Sequence, residues 1–329
     1  MNTLLTSAGR RVELVRAFHR AYQSLSLPGH IVGIDSAPLA PALHFCDRRY
    51  TVPRTDDSGY LPRLLEICRR EEIGLVFPLT DPDISSLARH RTELEAIGAR
   101  PAVVSAAASE TCADKWLTHA FFERLGLAAP RSWLPGDPEL ERQELPLFIK
   151  PRRGSASHHA FPLRTREELR FFSRYVADPI VQEFLPGPEI TSDVACDLEG
   201  NVLSVVSRRR IEVRGGEVAK GVTVRDERIL EACVAVAREL PALGPVTVQC
   251  LMKGDTPYFT EINARFGGGA PLGIAAGADY PKWILARAAG IDLDLPPLGS
   301  YQTGLYLSRF DDSLFLPDAT CDQSPSGPL

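Results

Sequence analysis

The sequence predicts an α/β unit built on a parallel sheet, followed by a second unit of mixed α and β structure built on antiparallel strands. Two patterns carry this prediction. Near the N-terminus short apolar runs alternate with helical patterns, which is the signature of strand, helix, strand crossovers. Beyond residue 106 strands follow one another through tight turns, with helices between some of them. The length agrees, since 329 residues exceed an ordinary single domain.

In the first unit the order is "NTLLTSAG", a helix over Arg11 to Tyr22, "HIVGIDSA", "LPRLLEICRR", "GLVFPL", "SSLARHRTELEAIG" and "ARPAVVS". The turn "TSAGR" and the strand-ending Asp35 resemble parts of a dinucleotide site, where a helix N-terminus holds phosphate and an acid holds ribose. Only Gly9 stands in that turn, so G-x-G-x-x-G is absent and a scaffold reading is preferred. "PLTDPD" carries Asp81 and Asp83 where an open parallel sheet meets ligand; capping of a helix starting near Ile84 is the preferred expectation.

The second unit opens with a helix over "ASETCADKWLTHAFFERLG" and the strand "LPLFIKP", ending at Lys150. The small-residue turn "RRGSASHHAFPL" and the helix "REELRFFSRY" come next. Strands over "PIVQEFL", "EITSDVACDL" and "NVLSVVSRRRIEV", a helix over "DERILEACVAVARELP" and the strand "VTVQCLMK" follow. Residues 1–105 are assigned to the first unit, 106–300 to the second and 301–329 to a C-terminal segment ending in a loose polar tail.

Hydrophobic residues make up 44% and charged residues 24%, an ordinary globular composition, and the net charge of -5 argues against a duplex-DNA binder that neutralises phosphates. Seven scattered cysteines without C-x-x-C pairs exclude a disulfide framework and a zinc site as expectations, and fit a reducing cytoplasm. No apolar run suits a signal peptide or a membrane span, so no membrane partner is expected.

The chemistry concentrates in "YFTEINARFGGGAP", Tyr258 to Pro271. Alternation puts Glu261, Asn263 and Arg265 on one strand face and Thr260, Ile262 and Ala264 on the other. A hairpin with "VTVQCLMK" in which Met252 meets Tyr258 sets Gln249 opposite Glu261. One carboxylate and two amide oxygens suit a hard cation such as Mg2+, which completes its shell with water and phosphate. Arg265 is placed to hold a phosphoryl oxygen. Glycines 267–269 permit close approach of backbone to a ligand, or a turn at positive φ. Lys150, with the turn of Gly154, Ser155, Ala156 and Ser157 behind it, is a candidate phosphate cradle. "VQEFLPGPEITSD" offers an extended backbone beside which an adenine edge can lie, with Glu189 near enough for ribose hydroxyls. Each of these features taken alone also suits a solvated face or a simple turn.

The ordered set "DK" at Lys115, "FIKPRRGS" at Lys150, "QEFLPGPE", Gln249 and "EINARFGGG" resembles the ATP-grasp superfamily. With Gln249 at a position where many relatives carry an acid, and with "LLTSAGRR" at the N-terminus, it is similar to the carbamoyl phosphate synthase large-subunit-like branch. The resemblance spans nearly all of residues 1–300. It implies a preATP-grasp domain followed by two subdomains that grip ATP. By the same resemblance, Lys115 and Lys150 touch phosphates or the adenine side, the backbone of Glu183, Phe184 and Leu185 faces adenine, and Glu189 holds ribose. Gln249, Glu261 and Asn263 bind Mg2+, and Arg265 meets the transferred phosphoryl group. One departure is the loop "GSASHHA", less rich in glycine than the family's, with His158 and His159 read as an exposed pair.

The implied reaction is amide formation between a small carboxylate and an amine through an acyl phosphate, giving ADP and phosphate. "SRRRIEVRGGEVAKG" supplies cations for the carboxylate; alternation turns Arg208 and Arg210 away from Arg209, and Arg210 and Arg214 are the chosen candidates. A bicarbonate-using or carbamoyl-phosphate-forming enzyme, and a nucleotide-binding regulator without turnover, stand as alternatives. The acid and the amine are not legible, and neither is the oligomeric state, although a dimer through the N-terminal sheet suits such a fold.

Overall fold

The computed structural model describes residues 1–154 and 158–316. Ser155 and the tail that contains Cys321 lie outside the described residues.

The N-terminal alternation produces five strands, β1 (Asn2–Thr6), β2 (Ile31–Asp35), β3 (Arg48–Thr51), β4 (Ile73–Pro78) and β5 (Arg100–Pro101). All pair in parallel, in the order β3-β2-β1-β4-β5. Leu4, Leu5, Val32, Ile34, Val76 and Phe77 are fully buried, as expected of strands covered on both faces. The chain reverses its direction of winding between β1 and β4, so the turns after these strands frame the crevice where such sheets take ligand. Asp35 uses one carboxylate oxygen to accept from the Gly9 amide at 2.8 Å and the other to accept from Ala37 at 2.8 Å. It therefore ties the turn after β1 in place, consistent with the scaffold reading.

Four further strands, β6 (Ser132–Trp133), β7 (Leu147–Pro151), β8 (Phe161–Leu163) and β9 (Pro179–Glu183), form a small antiparallel sheet in the order β6-β9-β7-β8. The large sheet contains β10 (Glu189–Cys196), β11 (Val202–Arg214), β12 (Glu217–Val224), β13 (Pro245–Lys253), β14 (Thr256–Asn263) and β15 (Tyr306–Ser308). Its order is β14-β13-β10-β11-β12-β15, antiparallel throughout. Part of the segment after residue 300 is thus a sheet edge, and Tyr301 secures it by donating its hydroxyl to Val224 O at 2.6 Å.

The helix expected over residues 108–126 is two helices, Ala106–Ala113 and Lys115–Arg124, broken at Asp114. Asp114 takes an extended backbone, its carboxylate caps the second helix by accepting from the Trp116 amide, and Arg152 donates to both of its oxygens. The break lets the Lys115 amide reach Arg152 O at 2.9 Å.

Phe266, just after the polar strand end, packs between Phe18 and Phe77 with ring centroids 5.9 Å and 5.5 Å away. This aromatic trio joins the end of the large sheet to the N-terminal sheet, and one hydrophobic core runs through both. Among the described residues no helix is long and apolar enough to cross a membrane.

Candidate active site

β13 and β14 set the floor of the site. Gln249 pairs with Glu261 and Thr247 with Asn263, as expected, but Tyr258 meets Leu251 rather than Met252. A bulge between Gln249 and Cys250 makes up the one-residue difference, leaving Thr260 unpaired. The bulge also corrects the face assigned to Thr260: it lines the cleft beside Glu261, whereas Ile262 and Ala264 are buried in the core as expected.

Between the small and large sheets lies a cleft of about 810 Å³. Lys115, Lys150, Gly154, Glu183, Phe184 and Leu185 line it, as do Glu189, Arg210, Gln249, Glu261, Asn263 and Arg265. Lys150 Nζ lies 3.4 Å from Glu261 Oε1, and Lys115 Nζ donates to Gly154 O at 2.7 Å. Burial works to raise the Glu261 carboxyl, but Lys150 and Lys115 outweigh it and hold the group below the ordinary carboxylate range. Burial is also the main cause that lowers the Lys115 ammonium, opposed by Glu261.

At the far end of β9 the Glu183 amide donates to Arg131 O, and Arg131 and Lys253 flank its carboxylate at 3.0 Å and 3.6 Å. The chain leaves the sheet at Phe184 and turns through Gly187, where a Cβ would collide with the Met252 carbonyl. Only glycine allows "PGPE" to lie this close to β13. Glu189 then meets Arg210, whose Nη1 donates at 2.6 Å while Nη2 donates to Gly216 O at 3.1 Å. His158 and His159 are exposed at the rim of the cleft.

Arg214 does not join this group. It is exposed and pairs with Glu212 at 2.9 Å, because register shifts at Arg210/Glu212 and Glu212/Val213 break the alternation that would have kept Arg210 and Arg214 together. Arg208 is 3% exposed and locked to buried Asp193, and Arg209 points outward, as alternation requires.

A second cavity of about 220 Å³ adjoins the cleft through Arg210, Gly216, Gln249, Asn263 and Arg265. Sequence reasoning placed Asp81 on the ligand side but preferred a capping role for it, and missed Arg11 and Glu217. Asp81, the first residue of the helix Asp81–Arg89 and not its cap, accepts from Arg265 Nε and Nη2 at 2.7 Å and 3.2 Å. Arg11, from the turn after β1, reaches in from the other side and meets Glu217 at 3.0 Å. The position of both turns at the reversal between β1 and β4 is the signal that was available. Glycines 267–269 line the same cavity, and none has positive φ. A Cβ at Gly267 would strike Asp193, at Gly268 it would come within 2.8 Å of Arg11 Nη1, and at Gly269 it would strike Arg208. Their smallness admits the protein's own guanidinium groups, which corrects the expectation of a positive-φ turn.

The donor set fits a nucleotide-linked Mg2+. Gln249, Glu261 and Asn263 offer one carboxylate and two amide oxygens on one face, with Lys150 and Arg265 beside them. Among the described residues no three His, Cys, Asp or Glu side chains gather to hold a metal by themselves. These three oxygens would leave the rest of an ion's shell to water or to the oxygens of a second ligand.

Comparison with known proteins follows the same lines. Residues 3–102 match the family model described as PylC-like, N-terminal domain, and residues 176–304 match that of ATP-grasp in the biosynthetic pathway with Ter operon. The carbamoyl phosphate synthase large chain of Deinococcus deserti is 25% identical over 323 residues, 90% of this chain, and that of Saccharolobus solfataricus is 24% identical over 244 residues, 67% of this chain. The alignments span only 30% and 22% of those two proteins. Among solved structures, the biotin carboxylase domain of Hydrogenobacter thermophilus 2-oxoglutarate carboxylase, in complex with MgADP and bicarbonate, superposes with a TM-score of 0.73 at 18% identity, covering 92% of this chain and 73% of that one. The L-amino acid ligase of Bacillus licheniformis gives 0.64 at 20% identity, covering 87% and 73%. N5-carboxyaminoimidazole ribonucleotide synthetase of Thermus thermophilus gives 0.69 at 20% identity, covering 90% and 80%. At these identities the superpositions speak for the fold.

Proposed function

We propose that this chain, which matches a PylC-like N-terminal model over residues 3–102 and an ATP-grasp model over residues 176–304 and has sequence kinship to carbamoyl phosphate synthase large chains, is an ATP-grasp carboxylate-amine ligase that releases ADP and phosphate. The observation that carries this reading is the convergence of Lys150, Glu189, Gln249, Glu261, Asn263 and Arg265 on one cleft, open at its inner end to a smaller polar cavity.

In this reading Phe184 and Leu185 present backbone to the adenine, and Glu189 accepts from the ribose hydroxyls. Lys115, Lys150 and the turn at Gly154 hold phosphate oxygens. Gln249, Glu261 and Asn263 hold Mg2+, which when bound neutralises charge on the phosphate oxygens. Arg265 and Lys150 surround the γ-phosphoryl with fixed positive charge as the substrate carboxylate attacks phosphorus and the bond to the β,γ-bridging oxygen breaks. The amine nitrogen then attacks the acyl carbon, phosphate leaves with the acyl C–O bonding pair, and the nitrogen gives its proton to solvent. Arg210, between the two cavities, is the candidate clamp on the acid; Arg214 is too far outside to share that task.

The reading is tested by nucleotide product analysis with Mg2+ATP and pools of acids and amines, with Glu261→Ala alongside. ADP and phosphate formed only when an acid and an amine are both present, and only by the unaltered protein, are expected. Turnover driven by bicarbonate alone would replace the ligase with a carboxylating or carbamoylating enzyme, and ATP binding without turnover on any pool would count for a regulator.

A further inference from the structure

The smaller cavity holds cationic donors that phosphoryl transfer does not use. It opens between the turns after β1 and β4, and its inner wall is Arg11. The Arg11 side chain is 15% exposed; Nη2 meets Glu217, but Nη1 is buried without a hydrogen-bond partner. Glu217 is shared with Arg309 at 3.3 Å and Arg10 at 3.9 Å, so three guanidinium groups face one carboxylate. Arg309 has a second acid in Glu13, which still leaves positive charge in excess around Arg11. Thr191 Oγ1, in the wall of the same cavity, is also buried and unpartnered. A buried donor left unpaired carries a desolvation cost that a ligand oxygen removes.

The two acids in the wall do not cancel this preference, because Asp81 is covered by Arg265 and Glu217 by Arg11. At its other end the cavity meets Arg210, the candidate clamp on the reacting carboxylate, and Gln249, Asn263 and Arg265, beside which the γ-phosphoryl is assigned. Its volume of about 220 Å³ suits an acid of amino-acid size.

We infer that Arg11 is a specificity-determining residue: the cavity takes a small acid that carries a second anionic group, and Arg11 binds that group at the end remote from the carboxylate to be activated. The direction of the acid in the cavity rests on the ligase reading; the preference for a second anion does not.

The test is calorimetric binding of matched pairs, glutamate with glutamine and O-phosphoserine with serine, to the full chain with Mg2+ and a non-hydrolysable ATP analogue. The anionic member of at least one pair should bind about tenfold to a hundredfold more tightly than its neutral partner, as hydrogen bonds to charged groups imply. Preference in the first pair alone identifies a carboxylate, and in the second alone a phosphate. Arg11→Gln should remove the preference and Arg11→Lys keep part of it, with melting temperatures recorded for both so that a folding defect is recognised. Equal binding within both pairs, no binding by any member, or a preference that persists in folded Arg11→Gln overturns the inference. ADP release with the same acids and hydroxylamine as amine reports separately on the ligase reading. An anion preference without ADP release would therefore sink that reading and leave the Arg11 assignment standing.

Discussion

Asp81 holds Arg265 through both carboxylate oxygens across a sequence separation of 184 residues. Asp81 opens the helix that follows β4 of the N-terminal sheet and Arg265 lies just beyond β14 of the large sheet, and the pair fixes the plane of a guanidinium that also touches Asn263 Oδ1 at 3.5 Å. Two parallel hydrogen bonds specify orientation as well as charge. If Arg265 stabilises the transferred phosphoryl group, its value depends on that orientation, because small misplacements at a reacting centre cost up to about a hundredfold in rate.

Asp81→Asn should therefore lower kcat by about tenfold to a hundredfold while the KM for ATP changes little. Steady-state ADP release checks this. An unchanged kcat would make Asp81 a structural contact only.

The glycines after β14 lead to a stability prediction. Arg208 and Asp193 form a buried pair against Gly267 and Gly269, and a Cβ at Gly269 would overlap the Arg208 guanidinium. The arginine cannot retreat without uncovering Asp193, whose carboxyl is already raised by burial despite Arg208. Gly269→Ala should lower unfolding free energy by about 1–3 kcal/mol, in the range of overpacking, and more if the pair separates. Denaturant titration measures it, and an unchanged midpoint would show that the loop yields freely.

Much of the site was legible because its residues lie along β14 and the extended chain just beyond it. Glu261, Asn263 and Arg265 differ by two positions, so period-2 geometry gathers them before any tertiary structure is known. Gln249 was placed opposite Glu261 from a hairpin register that fails at Met252, and the bulge at Gln249/Cys250 restores it. Arg11, Glu217 and the pairing of Asp81 with Arg265 were not legible. Their meeting depends on the packing of Phe266 against Phe18 and Phe77, and no local period encodes a contact between distant sheets. Arg214 was misplaced for the opposite reason: alternation was extended through two register shifts that a run of charged residues conceals.

The lysines beside Glu261 give a pH prediction. The folded carboxyl lies below its unfolded value because Lys150 and Lys115 outweigh burial, so its contribution to stability is present above the ordinary carboxylate range and is lost as pH falls through the lower folded value. Lys150→Met leaves burial opposed mainly by Lys115 and should raise the carboxyl. The gap between the folded and unfolded carboxyl then narrows or inverts, so the variant should lose less stability on acidification than the unaltered protein, as read from denaturant midpoints along a pH series. Coincident profiles would remove Lys150 from the control of Glu261.

Glu189 yields a prediction that separates sugar from phosphate. Its carboxylate is 31% exposed at the cleft and held by Arg210 at 2.6 Å, leaving one oxygen available beyond that bond. Glu189→Ala should weaken ATP more than it weakens inorganic triphosphate, by about tenfold, the loss expected for charge-assisted hydrogen bonds to ribose. Equal losses for the two ligands would assign Glu189 to holding Arg210 instead.

The donor chemistry also distinguishes a nucleotide-borne metal from a resident one. A single carboxylate with two amide oxygens leaves about half of an octahedral Mg2+ shell to water and phosphate, and among the described residues no denser acidic group competes for the ion. Without nucleotide, excess EDTA should leave the melting temperature unchanged, and Mg2+ alone should not raise it. With ADP present, Mg2+ should raise it in proportion to ligand saturation, and Glu261→Gln should abolish that increment while keeping the metal-free melting point. A chelator effect on the nucleotide-free protein would mean that an ion is held without nucleotide, and the nucleotide-borne reading would fall; an increment that survives Glu261→Gln would remove Glu261 from the metal set.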